Sequence, residues 1–409
     1  MKQVKMNKWF FILGLLVIFS CSRDNDLGDS TEISQENFVD LSMAKEIGAE
    51  ISFKSNDSNP QTGKNTSFGT VKKKIKTVDE VKNDNGNTVF YVINYLKGGY
   101  IILSADDRAQ PIIGFSDGGT FVVDKDKETS YPLGLESWMG NAKKQITNIQ
   151  KSKNKRTEKE KIVWSKVNDM LVSQNLFGKA PVDKCYDRIT IYTKGPFVKS
   201  FWDQGNGYNG AMPYITCNGD AKRALAGCVP IAMGQVMRYY EYPTNYDWSF
   251  IPINFATEGT ANFMLDVHNA IRNVYPMEPS YSCGATGVSK DCDMGKVLKA
   301  KFGYSSADRG NYDEKVIKSN LEEGRPVILS GFSSAGGHMW VCDGYKTIKF
   351  EFSNCTGQDN LYFNMNWGWG GKSNGFFAYN DFSLSDTFGG DVSNAGFNKD
   401  VKMIYNVKP

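Results

Sequence analysis

Between about Met43 and Val123 the apolar residues fall in short blocks rich in β-branched and aromatic side chains, divided by Gly- and Asp-containing turns. Val89-Phe90-Tyr91-Val92-Ile93 and Tyr100-Ile101-Ile102-Leu103 predict two strands joined at Lys97-Gly98-Gly99. Pro111-Ile112-Ile113-Gly114-Phe115 and Thr120-Phe121-Val122-Val123 predict a second pair around Asp117-Gly118-Gly119. From Leu133 to about Leu176 the pattern turns helical, with the basic run Lys151 to Arg156 expected on a solvated face. Gly178 to Pro196, with Gly, Pro and mixed charges, reads as a linker. Beyond Phe197 the chain is rich in Gly and aromatics, with short strands broken by helices near 228–240, 261–274 and 313–323. No internal repeat is visible.

The N-terminus follows another rule. Lys2, Lys5 and Lys8 precede an apolar run of 11 residues, Trp9 to Phe19. That is too short to span a bilayer and has the length of a signal-peptide core. It ends at Ile18-Phe19-Ser20-Cys21, which resembles a bacterial lipobox, so Cys21 is the expected lipid anchor and the protein is expected to leave the cytoplasm. An ordinary export signal beside an unrelated cysteine is the alternative. Ser22 to about Asp40 is polar and acidic, as in a flexible tether. No later apolar stretch has the length of a transmembrane helix.

A length of 409 residues calls for two or more domains, and 13% aromatic residues suffice for packed cores. The net charge of +3 gives no reason to expect a nucleic-acid partner. Of eight cysteines, Cys185, Cys217, Cys283, Cys292, Cys342 and Cys355 are available for disulfides; Cys283 and Cys292 could close a short loop, but the pairing is not readable. With no CxxC, no HExxH and only two histidines, neither a metal site nor a cofactor is expected.

A cysteine nucleophile needs a lowered pKa and a base within reach. In Ala226-Gly227-Cys228-Val229-Pro230-Ile231-Ala232-Met233-Gly234-Gln235-Val236-Met237, the apolar residues recur at helical spacing, and Pro230 is tolerated only in a first turn. Cys228 therefore belongs at a helix start, where free N–H groups and the helix dipole favour a thiolate. The alternative is a small buried core cysteine. His268 lies on an amphipathic pattern, Ala261 to Ile271, and reads as structural. His338 follows Gly336-Gly337 and opens the strand Met339-Trp340-Val341-Cys342, which places a base where a substrate backbone can come close. Asn366, in Asn364-Met365-Asn366-Trp367-Gly368-Trp369-Gly370-Gly371, can accept from an imidazole N–H as in a Cys-His-Asn triad, with Trp367 shielding that bond from water. Gly114-Phe115-Ser116-Asp117-Gly118 matches the serine-hydrolase pattern G-x-S-x-G, but that elbow requires a helix after the turn, and the pattern here predicts a strand.

Together these segments resemble the streptopain family of papain-like cysteine peptidases. The carrying residues are Gly227-Cys228-Val229 with Ala232 to Met237 and the ending at Pro243, Gly336-Gly337-His338 with Asp343-Gly344, and Asn366 to Gly371 with Gly375-Phe376-Phe377. Trp202-Asp203-Gln204-Gly205 resembles the strip that places an oxyanion-hole glutamine, which implies Gln204 and the backbone N–H of Cys228 in that role. Gly98 to Asp107 and Ile112 to Ser116 are similar to the family's propeptide core. The resemblance implies an α+β chain: a papain-like catalytic domain with a helical part and an antiparallel sheet or barrel, preceded by an α+β prodomain. It also implies a latent zymogen that hydrolyses internal peptide bonds, with an apolar residue preferred two positions before the cleaved bond.

The expected organisation is a signal peptide over 1–21, a tether over 22–42, an inhibitory prodomain over 43–180, an activation linker over 181–196 and the catalytic domain over 197–409. Expected partners are protein and peptide substrates, the chain's own prodomain, and a membrane reached through the lipid on Cys21. Competing readings are a papain-like acyltransferase or transglutaminase, which would orient its histidine with Asp, and a surface-binding lipoprotein or protease inhibitor, either indifferent to loss of Cys228.

Overall fold

The structure, a computed structural model, describes residues 35–54, 70–123, 131–172, 185, 187–333, 336–379, 382 and 401–409. The signal segment, Cys21, most of the tether and the linker residues 181–184 and 186 lie outside them.

Helix α1 (Leu41–Glu50) starts where Asp40 accepts a hydrogen bond from Met43 N at 2.8 Å, which satisfies one of the free N–H groups of the first turn. Next comes an antiparallel meander of β1 (Ile75–Lys82), β2 (Thr88–Tyr95), β3 (Tyr100–Ser104) and β4 (Ile112–Ser116). Every residue of β2 and β3 is buried, in keeping with their unbroken apolar runs. Helices α1 and α2 (Leu133–Lys151) both pack on β2. Helix α3 (Glu158–Ser165) follows, opened by a capping box between Thr157 and Glu160.

The second half supplies helices α4 (Cys228–Tyr240), α5 (Glu258–Val274), α6 (Met294–Phe302) and α7 (Glu314–Glu322). Its strands in the main sheet are β5 (Arg188–Lys194), β6 (Ser306–Asn311), β7 (Val327–Ser333), β8 (Gly336–Glu351), β9 (Gly357–Asn366), β10 (Gly375–Ala378) and β11 (Lys402–Lys408). These eleven strands join one sheet in the order β6-β11-β7-β8-β9-β10-β4-β3-β2-β1, with β5 also on β8. The two halves meet edge to edge at Phe376 opposite Phe115 and Phe377 opposite Gly114, where the rings of Phe115 and Phe376 stack at 5.2 Å. One core runs through that junction, and a second lies between the sheet and α4, α5 and α6.

Several expectations are corrected. Thr120–Val123 is not a strand: Asn94 captures both backbone groups of Phe121, and Ser373 Oγ accepts from Val122 N, so no ladder forms. No helix follows Gly118 either, so Ser116 lacks the setting of a nucleophile elbow. Ordered packing starts before Met43, with Val39 buried and Phe38 bridged to Asp106. Part of the linker is strand β5, tied down at Cys185 by a disulfide to Cys355. The basic run is not wholly solvated, since Arg156 pairs with Asp107 at 2.8 Å. Cys283 bonds Cys217 rather than Cys292.

Candidate active site

The first turn of α4 sets the sulfur's environment. Gly227 caps the helix at φ 84°, a conformation that disfavours any other residue, and a Cβ there would lie 2.8 Å from the Thr286 carbonyl. Cys228 is then the first helical residue, as the position of Pro230 predicts. Backbone N–H groups of Met339, Cys228 and Val229 reach the sulfur and favour its ionised form, but desolvation outweighs them and holds the thiol above its ordinary pKa. Cys228 is unpaired and keeps partial solvent access. It lines a cavity of about 70 Å³ together with Val288, Lys290, Cys292, Met294, His338 and Met339.

His338 opens onto the same cavity from β8. Its Nε2 donates to the Trp367 carbonyl at 3.0 Å, which fixes the tautomer and leaves the lone pair on Nδ1. Its ring lies nearly parallel to Trp340, 6.1 Å away, and Trp340 in turn contacts Trp367. Burial lowers the imidazole pKa to about 4, against the pull of the Trp367 carbonyl. Both groups are thus held neutral, and among the described residues no hydrogen bond joins them.

Asn366 does not meet this ring. Its Nδ2 donates to the Ser200 carbonyl at 2.8 Å and its Oδ1 accepts from Gly368 N at 3.2 Å, so the side chain staples the chain around Trp367. The carbonyl of Trp367 takes the place expected for the asparagine oxygen, which residue types alone do not reveal. Asn366→Ala should therefore cost about 1–3 kcal/mol of stability through the buried groups left unpaired, seen in thermal melts, while activity falls less than about tenfold. A loss of several hundredfold in folded protein would return the orienting role to Asn366. Gly337 lines the cavity and is exposed, leaving room for a backbone beside His338. Gln204 is half-buried, and its carbonyl accepts from Ala226 N at 2.8 Å, two residues before the sulfur. Cys292, in the same cavity, was singled out by sequence only as a disulfide candidate.

Behind the site, Gly134 in the first turn of α2 packs against the tryptophans. A Cβ there would lie 2.8 Å from Trp367 and 3.0 Å from Trp340. The first half of the chain thus reaches the aromatic layer on which His338 rests.

Comparison with known proteins accords with this arrangement. Residues 202–273 and 245–377 match the model of the Peptidase C10 family, and residues 38–146 match that of the Spi protease inhibitor. Streptopain of Streptococcus pyogenes serotype M1 is 26% identical over 390 residues, covering 83% of this chain and 87% of streptopain. The thiol protease/hemagglutinin PrtT of Porphyromonas gingivalis is 23% identical over 363 residues, which cover 78% of this chain and only 37% of PrtT. Among solved structures, a fragment of Prevotella intermedia prointerpain A superposes with a TM-score of 0.52 at 21% identity, over 81% of this chain and 99% of the fragment. The Peptidase C10 match over the second half, the inhibitor match over the first and the streptopain and thiol-protease relatives together identify the chain as a cysteine endopeptidase similar to the streptopain-type enzymes.

Proposed function

We propose that the chain is the latent precursor of an exported cysteine endopeptidase, in which Cys228 attacks the scissile carbonyl and His338 carries the proton. The observation that carries this reading is the tautomer of His338: with Nε2–H committed to the Trp367 carbonyl, Nδ1 is the basic nitrogen available in the cavity of Cys228. Nδ1 takes the thiol proton, the thiolate adds to the carbonyl, and the imidazolium returns the proton to the leaving amine. Water then hydrolyses the thioester with the same nitrogen as base. The Cys228 N–H and the Gln204 side chain are assigned to the oxyanion.

Latency has a matching physical account. An ion pair of thiolate and imidazolium is disfavoured while burial raises one pKa and lowers the other, and the first half of the chain packs through Gly134 on Trp340 and Trp367, the layer against which the imidazole is held. We assign residues 43–180 the inhibitory role and place maturation in the part of 181–196 that precedes β5. Export through residues 1–21 and anchoring at Cys21 rest on sequence alone.

The test is alkylation of Cys228 by iodoacetamide as a function of pH, read by peptide mass. In the precursor, labelling should rise only on the alkaline side, because the neutral thiol is favoured. After processing, the reactive window should extend below neutral pH as the ion pair forms. Identical profiles before and after processing would refute this account of latency.

A further inference from the structure

We infer that His268 is a positioning residue for the oxyanion hole: its bond to the Ala226 carbonyl holds the peptide before Gly227, and thereby aims the N–H of Cys228. The inference rests on the assignment of Cys228 as nucleophile and adds a role to a histidine that the sequence marks only as structural.

Three backbone groups of the two residues before Gly227 are clamped by distant parts of the chain. The Leu225 carbonyl accepts from Thr286 Oγ1 at 2.7 Å, and Ala226 N donates to the Gln204 carbonyl at 2.8 Å. The Ala226 carbonyl meets Nε2 of His268 at 2.7 Å. A carbonyl only accepts, so Nε2 bears the hydrogen and Nδ1 the lone pair, and Nδ1 meets the hydroxyl of Tyr281 at 3.5 Å. Tyr281 also stacks on the imidazole and is the cross-strand partner of Thr286 in a short ribbon, Ser280–Tyr281 against Thr286–Gly287. The turn of that ribbon is fastened by the Cys283–Cys217 disulfide. His268, Tyr281 and Thr286 thus form one braced unit around residues 225 to 227.

Gly227 makes that bracing necessary. Lacking a Cβ, it is the one residue here whose flanking peptides can turn independently at little steric cost. The peptide after it is held by α4, where Ile231 N donates to the Gly227 carbonyl at 3.3 Å. The peptide before it is held by His268. With both fixed, the φ of 84° and ψ of 153° at Gly227 are fixed, and so is the direction of the Cys228 N–H. The same residue, Ala226, also carries the link to Gln204. One imidazole bond therefore spans the mountings of both groups assigned to the oxyanion. His268 is buried and its pKa is lowered to about 4 by that burial, so the ring stays neutral and keeps the tautomer this bond needs.

The roles of nucleophile and oxyanion hole separate experimentally, because alkylation by iodoacetamide needs the thiolate but forms no oxyanion. Full-length His268→Phe, His268→Gln and Tyr281→Phe are each matured with immobilised wild-type enzyme, which is then removed. For His268→Phe, kcat on a peptide substrate should fall about thirtyfold, with KM within twofold and the alkylation rate of Cys228 within threefold of wild type. His268→Gln, which keeps an N–H for Ala226, should recover most of that loss. Unchanged kcat in His268→Phe, a loss confined to KM, or an equal loss in alkylation and turnover overturns the proposal. Should His268→Phe fail to fold, Tyr281→Phe decides: a severalfold fall in kcat with normal alkylation supports the clamp, and unchanged kcat overturns it. Retained hydrolysis in Cys228→Ala is a different result, which removes the nucleophile itself and leaves the clamp without a reaction to serve.

Discussion

Cys228→Ala should accumulate as full-length precursor and hydrolyse peptides about 10⁵-fold more slowly than the processed wild type. The size of the effect follows from what is removed. Without the sulfur no thioester forms, and the remaining donors act only on direct attack by water. His338→Ala should fall nearly as far, and the double substitution should be little slower than either single one, because nucleophile and base act as a unit. Initial rates together with peptide mapping of the N-terminus check both claims. A Cys228→Ala chain that still cuts itself would end the cysteine mechanism.

Gly375→Val should have the opposite effect and make the precursor leaky. A Cβ at 375 would lie 2.6 Å from the Phe115 carbonyl and closer still to the Tyr100 hydroxyl, so the branched side chain forces apart the edge where β10 meets β4. Overpacking of this kind costs about 1–3 kcal/mol. Levied on the contact between the two halves, it raises the open fraction roughly 5- to 150-fold, at about tenfold per 1.4 kcal/mol. Self-processing at fixed protein concentration should accelerate accordingly, as followed by the loss of precursor on a gel. A folded Gly375→Val precursor with the wild-type rate would show that this edge does not govern latency.

How much was legible from sequence depends on the range of the forces involved. The start of α4 was readable because Pro230 and the apolar spacing are local constraints, and the strands of the first half were readable from their apolar blocks. Thr120–Val123 was misread because its hydrogen bonds go to Asn94 and Ser373, the latter some 250 residues away, which no local pattern encodes. The Cys283 pairing failed for the same reason, its partner being 66 residues distant. At the site, Cys228 and His338 stood out because histidine is scarce. The partner of the imidazole did not, because a backbone carbonyl has no residue type. Asn366 was the reasonable choice from side chains, and it is displaced by the peptide group next to it.

The shared sheet has a consequence for the life of the enzyme after maturation. Removal of the first half, as proposed for maturation, strips β10 of its neighbour and leaves Gly375–Ala378, with its two phenylalanines, as a raw border. Such borders recruit stray extended chains. This one is only four residues long, and that brevity limits how firmly a foreign segment could take hold.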